Sequence, residues 1–353
     1  MTAVPVIIEV AVPSPLYRSF DYKLPDTTSV PAPGTRVLVP FGRQRLVGIV
    51  LGHKAHSDLA GNKLKAVQEV LDPQPVFDTG LLQLLNWAAR YYHHPIGETL
   101  ATALPVLLRK AGKPANTTLH HWQLTELGHA QSTTDLQRAA RQVQVLEILQ
   151  AQPQGLPRDA LPVPLSVLKA LEDKGWIECF VASPQQRAPV ITTAESAPAL
   201  TTQQELAVQK VLSGSDRFTP YLLDGVTGSG KTEVYLQLIA PQLAAAKQVL
   251  VLVPEIGLTP QLVDRFQQRF GLTIPVLHSA LNDTERLQAW QQAADGSAPL
   301  VLGTRSAVFT PLKNPGLIIV DEEHDASLKQ QDGLRYSARD LAVWRARQLD
   351  IPV

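Results

Sequence analysis

Apolar and polar residues alternate at the start of the chain, at Val6, Ile8 and Val10, and similar runs recur from Arg36 to Pro40 and from Leu46 to Leu51 between Pro and Gly. A period of two over short stretches broken by turn formers predicts the strands of a small barrel-like sheet. After Pro75 the period lengthens. Leu81, Leu84, Leu85, Ala88 and Tyr92 recur at three- and four-residue spacing and predict a helix with one apolar face, packed against that sheet. Further on come a helical stretch from Leu136 to Gln150, a Pro-punctuated turn, an apolar helix from Leu165 to Lys174, then Gly175 and the strand-like Trp176 to Val181. Two helices, a glycine turn and a strand predict a winged helix, a module that binds DNA or packs on protein; without a dense Lys/Arg helix, a structural spacer is the safer reading.

From Leu200 onward strands alternate with helices: Gln248 to Pro254, a helix from Thr259 to Phe270, Thr273 to Leu277, a helix from Asn282 to Ala294, Pro299 to Leu302 and Leu317 to Val320. That order predicts a doubly wound parallel sheet with ligands at the carboxyl ends of its strands. The chain therefore reads as a multidomain α/β protein. Its parts are a β-rich first segment with a packed helix (1–114), a winged-helix domain (115–183), a Pro, Ala, Gln, Ser and Thr-rich linker (184–199) and the parallel-sheet lobe (200–353).

Composition narrows the class. The 353 residues are 44% hydrophobic, enough for several globular cores. A net charge of zero excludes a global basic field, so any nucleic acid must be held by local patches. The single cysteine, Cys179, excludes an internal disulfide or a zinc cluster within this sequence, and its neighbours Ile177 and Phe180 mark it as a packed thiol. No stretch reaches the roughly 20 apolar residues of a membrane span and no leader precedes the first strand, so the expectation is a cytoplasmic protein without a membrane partner.

The chemistry is concentrated at two places. Gly225 to Thr232 reads GVTGSGKT, a complete phosphate-binding loop, following the strand-like Tyr221-Leu222-Leu223 and preceding a helix-compatible stretch from Glu233 to Ala246. Gly225, Gly228 and Gly230 let the backbone curl around phosphate, with Ser229 among them, so that amide N–H groups face the anion. Lys231 should reach the β- and γ-phosphates and Thr232 should hold Mg²⁺. Downstream, Leu317 to Val320 runs into Asp321-Glu322-Glu323-His324. A carboxylate at the end of a buried strand, Asp321, suits Mg²⁺ held through water, and Glu322 is placed to polarise an attacking water. A small-molecule kinase could share both motifs.

Two further loops lie on the same rim, Pro254 to Gln261 and Gly303-Thr304-Arg305-Ser306, each offering backbone amides, hydroxyls and, in the second, the Arg305 cation. Either alone is an ordinary strand-to-helix turn capped by Thr259 or Ser306; their order around a nucleotide loop makes Thr304 and Arg305 candidates for a phosphodiester backbone. His93 and His94 diverge on a helix with no acidic or cysteine cluster near them, and read as a helix end before Pro95 rather than a metal site.

The order and wording of these segments resemble the PriA (primosomal protein N′) family, superfamily 2 DNA helicases of bacterial replication restart. The matching pieces are GVTGSGKTEVY from Gly225, VPEIGLTPQ from Val253, LHSALND from Leu277, GTRSAVFTP from Gly303 and IVDEEHDASLKQQDG from Ile319. At the front they are FDYKLP from Phe20, VPFG from Val39, LKAVQEVLD from Leu64 and YYHHPIGE from Tyr91. The resemblance implies a RecA-like first helicase lobe, ATP and Mg²⁺ as cofactors, adenine sensing by Gln204, and phosphate, metal and water roles for Lys231, Thr232, Asp321 and Glu322. It also implies that the first segment captures the nascent 3′ end at a stalled fork, with Phe20, Asp21, Gly42 and Lys65 lining the pocket. In such a pocket Asp21 can accept a hydrogen bond from a 3′-OH and repel a 3′-phosphate, Phe20 or Tyr22 can stack a base and Lys65 can neutralise a phosphate. The strand period alone would make Phe20 and Tyr22 core residues and Asp21 an exposed one.

Implied partners are branched DNA and forks with a free 3′-OH, single-stranded DNA-binding protein and primosome proteins. The implied activity is 3′ to 5′ unwinding that initiates primosome assembly. Two departures stand out. The family carries aromatics in a DNA-coupling loop where this chain has Leu328 and Leu334, with only Tyr336 nearby. The sequence also stops at Pro352-Val353, before the family's next helicase motif, second motor lobe and zinc-binding cysteine module, and so reads as a fragment with little ATPase. The competing readings are an ATP-binding DNA scaffold with an idle motor and another superfamily 2 translocase.

Overall fold

The computed structural model describes residues 6–25, 28–59, 63–112, 120–129, 140–152, 155–157, 161, 163–181, 198–226 and 228–353. The chain divides into two compact units, Met1–Pro114 together with Arg187–Val353, and Ala115–Gln186.

The alternating segments at the front form strands β1 (Ile7–Ala11), β2 (Phe20–Lys23), β3 (Arg36–Phe41), β4 (Gln44–Lys54) and β5 (Glu69–Val70), ordered β2-β1-β4-β3-β5 with antiparallel neighbours. The segment that carries β5 bonds to β2 as well as to β3. Lys23 N–H donates to the Lys65 carbonyl at 2.9 Å and Gln68 N–H to that of Leu38 at 2.9 Å, so the sheet curls toward a barrel. Its inward residues Ile8, Val10, Tyr22, Val37, Val39 and Val50 make a small core of their own.

Helix α1 (Thr79–Tyr91) starts where Asp78 accepts from the Leu81 N–H at 2.7 Å and buries the predicted stripe of Leu81, Leu84, Leu85 and Ala88. It ends at His93, whose φ of 49° breaks the helix before Pro95. In α2 (Ile96–Ala103) a Cβ on Gly97 would lie 1.6 Å from the Val12 carbonyl oxygen, so only glycine lets this helix lie on the backbone beyond β1. Fully buried Arg36 donates to both Asp72 oxygens, at 2.8 and 2.6 Å, and to the Leu108 carbonyl at 2.7 Å. A buried charge persists when its donors are matched in this way.

The second unit holds β6 (His120–Leu124), α3 (Glu126–His129), α4 (Ala140–Gln150), β7 (Leu156–Pro157), α5 (Leu165–Asp173) and β8 (Ile177–Val181). Its sheet, β7-β6-β8, is antiparallel, and Val145, Leu149, Leu168 and Leu171 of the helices pack with Trp122 and Ile177 of the strands. Two helices and β8 stand where the sequence predicts them; β6 and β7 carry no signal strong enough to predict. Residues 136–139 of the expected first helix and 184–197 of the expected linker lie outside the described residues.

The remaining elements are α6 (Thr202–Leu212), α7 (Lys231–Ala244), β9 (Gln248–Leu252), α8 (Pro260–Phe270), β10 (Val276–Leu277), α9 (Asp283–Asp295), β11 (Leu300–Gly303), β12 (Pro315–Val320) and α10 (Ala338–Leu349). The strands form a parallel sheet in the order β10-β11-β9-β12. Successive residues face opposite sides. Val249, Val251, Leu317 and Ile319 pack with Val234, Ile239 and Phe266 of α7 and α8, whereas Leu250, Leu252 and Ile318 pack with Leu287, Trp290, Leu341 and Ala342 of α9 and α10. The result is a four-stranded parallel-sheet domain beside a five-stranded antiparallel-sheet domain.

Two expectations are corrected. Tyr221 to Leu223 is extended but joins no strand ladder: Tyr221 N–H donates to the Val353 carbonyl at 2.8 Å, and the Leu222 side chain is 78% exposed. The strand expected from Thr273 shrinks to β10, because Pro275 has no N–H to give a ladder.

The α1 face does not close on its own sheet alone. Leu84, Leu85 and Ala88 belong to the same core as Leu341, Ala342 and Ala346 of α10, so the front segment and the parallel-sheet lobe share one hydrophobic interior. Trp87 stacks on Trp344 with 5.2 Å between centroids, and the Tyr92 hydroxyl accepts from the Ser337 N–H at 3.2 Å.

Candidate functional site

The GVTGSGKT motif leaves its loop at Gly230, whose φ of 81° and ψ of 24° place it in the left-handed region as α7 begins. A Cβ there would sit 2.5 Å from the Gln204 side-chain nitrogen, a second reason for glycine. No side chain caps the start of α7, which leaves the N-terminal amides and the positive end of the helix dipole facing the loop. Lys231 Nζ donates to the Gly225 carbonyl at 2.9 Å and lies 3.2 Å from Glu322 Oε1. Thr232, half buried, is the second residue of the same helix. Gln204 joins the loop from outside: its amide donates to the Ser229 carbonyl at 2.9 Å while its oxygen accepts from the Thr201 N–H at 2.9 Å, closing a capping box on α6.

Asp321 follows the last residue of β12, and its N–H donates to Leu252 at 2.8 Å. One of its oxygens accepts from the Tyr235 hydroxyl at 2.9 Å; burial, reinforced by the Asp321 charge, pushes that phenol far above its usual value. Tyr235 is a site residue that pattern reading missed, although it is the last letter of GKTEVY. Glu322 has a φ of 43°, a left-handed backbone uncommon for a residue with a Cβ, and it turns its carboxylate toward Lys231. His324 Nε2 lies 3.7 Å from Glu322 Oε2, and Arg339 bonds Glu323 at 2.8 Å. A cleft of about 620 Å³ opens beside Lys231, Glu322 and His324. Lys231 and Glu322 line this cleft, Tyr235 on its wall holds Asp321, and the uncapped start of α7 carries Thr232 one residue after Lys231, a donor set that fits a triphosphate with a divalent ion.

At the front, Asp21 lies in the edge strand β2 opposite Glu9. Its two oxygens accept from Lys54 Nζ at 2.9 Å and Ser57 Oγ at 2.7 Å, so Glu9, Lys54 and Ser57 join the group that the sequence named. Each oxygen keeps a second lone pair. Phe20 meets Phe41 edge to face at 5.0 Å, with the Arg18 guanidinium 5.1 Å from its centroid. Tyr22 is corrected to a core residue: it is 4% exposed and donates its hydroxyl to the Pro40 carbonyl at 3.3 Å, which withdraws its ring from base stacking. Gly42 turns the exposed β3–β4 hairpin with a φ of 58°, and the Lys65 side chain is exposed on the returning segment.

The strand-end loops divide. Thr259 caps α8, accepting from Leu262 N–H, and the Ile256 side chain is 83% exposed at the tip of its loop. Thr304 is buried, and Arg305 donates to the Ser327 carbonyl at 3.1 Å, tying this loop to the segment after the acidic motif. Leu328, Leu334 and Tyr336 are all buried, Tyr336 against Phe309 at 4.8 Å, so the positions compared with coupling aromatics here serve the core.

Residues 9–105 match the model of a 3′ DNA-binding domain and residues 201–350 that of the DEAD/DEAH box helicase, a domain that implies use of ATP and Mg²⁺. The replication restart protein PriA of Haemophilus influenzae is 46% identical over 98% of this chain and 48% of its own length. PriA of Bacillus subtilis is 32% identical over 99% of this chain and 52% of its own length, and that of Chlamydia pneumoniae 34% over 96% and 46%. Among solved structures, the UvsW helicase of bacteriophage T4 overlaps 53% of this chain and 67% of its own at 17% identity, with a TM-score of 0.32, too low to carry an argument. The chain thus spans about half the length of the curated relatives it matches. With both ends of its main unit matched and the nucleotide loop in place, this chain belongs to the PriA family of replication restart proteins.

Proposed function

We propose that the chain reads the nascent 3′ end of a stalled or abandoned fork and binds ATP in the service of a 3′ to 5′ replication-restart helicase that initiates primosome assembly. The observation that carries this reading is the shared core of α1 and α10, which mounts the segment matched as a 3′ DNA-binding domain directly on the nucleotide-binding lobe. ATP with Mg²⁺ would supply the phosphoanhydride whose hydrolysis powers translocation.

Around that ligand the residues divide the work. The amides after Gly225, Gly228, Ser229 and Gly230 would donate to the phosphate oxygens, Lys231 would add a cation, and Thr232 and Asp321 would hold the metal. Glu322 orients the attacking water. Gln204, bonded to Ser229, conveys adenine occupancy to the phosphate loop. On the DNA side, Asp21 takes the terminal 3′-OH beside Glu9, Phe20 stacks the last base across the sheet edge, Gly42 leaves the approach open and Lys65 meets a phosphate. Thr304 and Arg305 shape the loop that follows the strand backbone. The 115–183 module is read as a winged helix serving as a spacer. Hydrolysis by this chain itself is expected to be slow, its setting cytoplasmic, and single-stranded DNA-binding protein and primosome proteins its partners.

Anisotropy titration of two labelled forks, identical except that one carries a nascent leading strand ending at the junction, tests the reading. Tighter binding to the fork with the strand end is expected; equal binding would reduce the front segment to a general DNA clamp.

A further inference from the structure

A second cavity, of about 340 Å³, lies where the front segment meets the parallel-sheet lobe. Arg109 enters it from the turn after α2, and Arg286 from α9; Ser279, Asp283, Ser306 and Thr310 complete its polar lining. Each guanidinium is anchored by one backbone carbonyl, Arg109 Nε to Leu104 at 2.9 Å and Arg286 Nη2 to His278 at 2.7 Å. Among the described residues neither forms an ion pair. Burial first, and the Arg286 charge second, hold Arg109 below its usual value, with Asp283 opposing. Trp290, on the same wall, keeps an indole N–H without an acceptor.

Two cations against one carboxylate in a half-enclosed space are mutually repulsive, and an anion with several acceptor oxygens relieves that repulsion. Guanidinium forks match phosphate oxygens, and hydroxyls on the same rim extend the fit. The cavity also adjoins the 303–310 loop, whose own Arg305 is already spent on Ser327. We propose that Arg109 and Arg286 together seat one phosphate of a nucleic-acid strand crossing this joint. The site rests on the DNA-binding part of the proposed function but is separate from the 3′-end pocket. It would let the end-reading segment and the motor lobe grip the same strand at their boundary.

The test is binding of labelled single-stranded DNA, its 3′ end blocked by phosphate, to the 353-residue chain across a salt series. Arg109→Gln and Arg286→Gln are each expected to weaken binding about tenfold. Each should flatten the dependence of log affinity on log salt, by no more than the ~0.7 that one phosphate on a single strand contributes. Arg109→Lys, which keeps the charge, should retain the slope. Ser306→Glu, at an exposed rim position that folding does not need, should reproduce the loss and guards against misfolding of the arginine variants. Unchanged affinity and slope in all three charge-altering variants would overturn the proposal, and if fork binding still prefers a 3′-OH, the end-reading function survives that failure. Absence of any DNA binding by the wild-type chain would overturn both. Inorganic phosphate that raises the melting temperature of the wild type but not of the Arg109→Gln/Arg286→Gln double variant, with DNA binding unaffected, would assign the cavity to a small anion and equally overturn the strand assignment.

Discussion

Trp87 of the front segment lies stacked on Trp344 of the parallel-sheet lobe, with 5.2 Å between ring centroids and 25° between planes. Tyr91 stacks on the other side at 4.6 Å and Tyr92 meets Trp87 edge on at 6.3 Å, so four rings join the two parts. Aromatic pairs add about 0.5–1.5 kcal/mol beyond the area they bury. Trp344→Ala is expected to cost roughly 2–3 kcal/mol, below the range for a fully buried tryptophan because this ring is only partly covered. Urea unfolding checks the value, and wild type should lose its front segment and lobe in one transition; two resolved transitions for the main unit would contradict the shared core.

Lys231 bonds Gly225 and Glu322 and, among the described residues, none of the front segment. Lys231→Ala should therefore weaken binding of a non-hydrolysable ATP analogue by ~10–100-fold, as loss of a hydrogen-bonded charge implies. Affinity for 3′-OH forks should stay within about twofold of wild type, since the distant core is untouched. Isothermal titration and anisotropy on the same protein stock measure both. Equal loss of the two would place the nucleotide and the strand end in one site.

Tyr235 supplies the hydroxyl that orients Asp321. Removing a partner of this kind behind a metal-holding carboxylate typically costs 10–100-fold in metal affinity. Tyr235→Phe should raise the Mg²⁺ concentration needed for half-maximal nucleotide binding by about tenfold, while nucleotide binding without Mg²⁺ changes little. An unmoved Mg²⁺ midpoint would remove Asp321 from the metal's surroundings.

Burial pushes the Tyr22 phenol up to about 12. The folded chain thus holds this proton at pH values where an unfolded chain, with a tyrosine near its usual 10, releases it. Stability from the neutral phenol is complete below about pH 10 and falls by roughly 1.4 kcal/mol per pH unit between there and 12. Tyr22→Phe should make the alkaline limb of a stability–pH curve shallower by that amount. A limb of unchanged slope would mean that Tyr22 is not a core residue.

Local periods were legible in the sequence, and long-range partners were not. The stripe of Leu81, Leu84, Leu85 and Ala88 identified α1, because a helix repeats its buried face every three or four residues. It did not say that the same face would meet α10, an element the pattern did not single out. Nothing in the sequence pattern pairs Arg36 with Asp72, which the fold brings together in the interior. At the candidate site, the need for glycine at Gly228 and Gly230 was legible, since a tight phosphate-type loop demands positive φ there. Tyr22 was ambiguous for a physical reason: a base-stacking ring and a core ring occupy the same alternating position of a strand. The strand expected at Tyr221 failed because apolar character does not provide a hydrogen-bonding neighbour.

The central claim is that the front segment recognises a 3′-hydroxyl through Asp21. Its most direct test is anisotropy of the 353-residue chain on forks whose nascent leading strand ends in 3′-OH or in 3′-phosphate, with Asp21→Ala in parallel. Asp21 beside Glu9 should favour the hydroxyl end by about tenfold, the worth of a hydrogen bond to a charged group, and Asp21→Ala should abolish most of that preference. Equal affinity of the wild-type chain for the two ends would contradict the account.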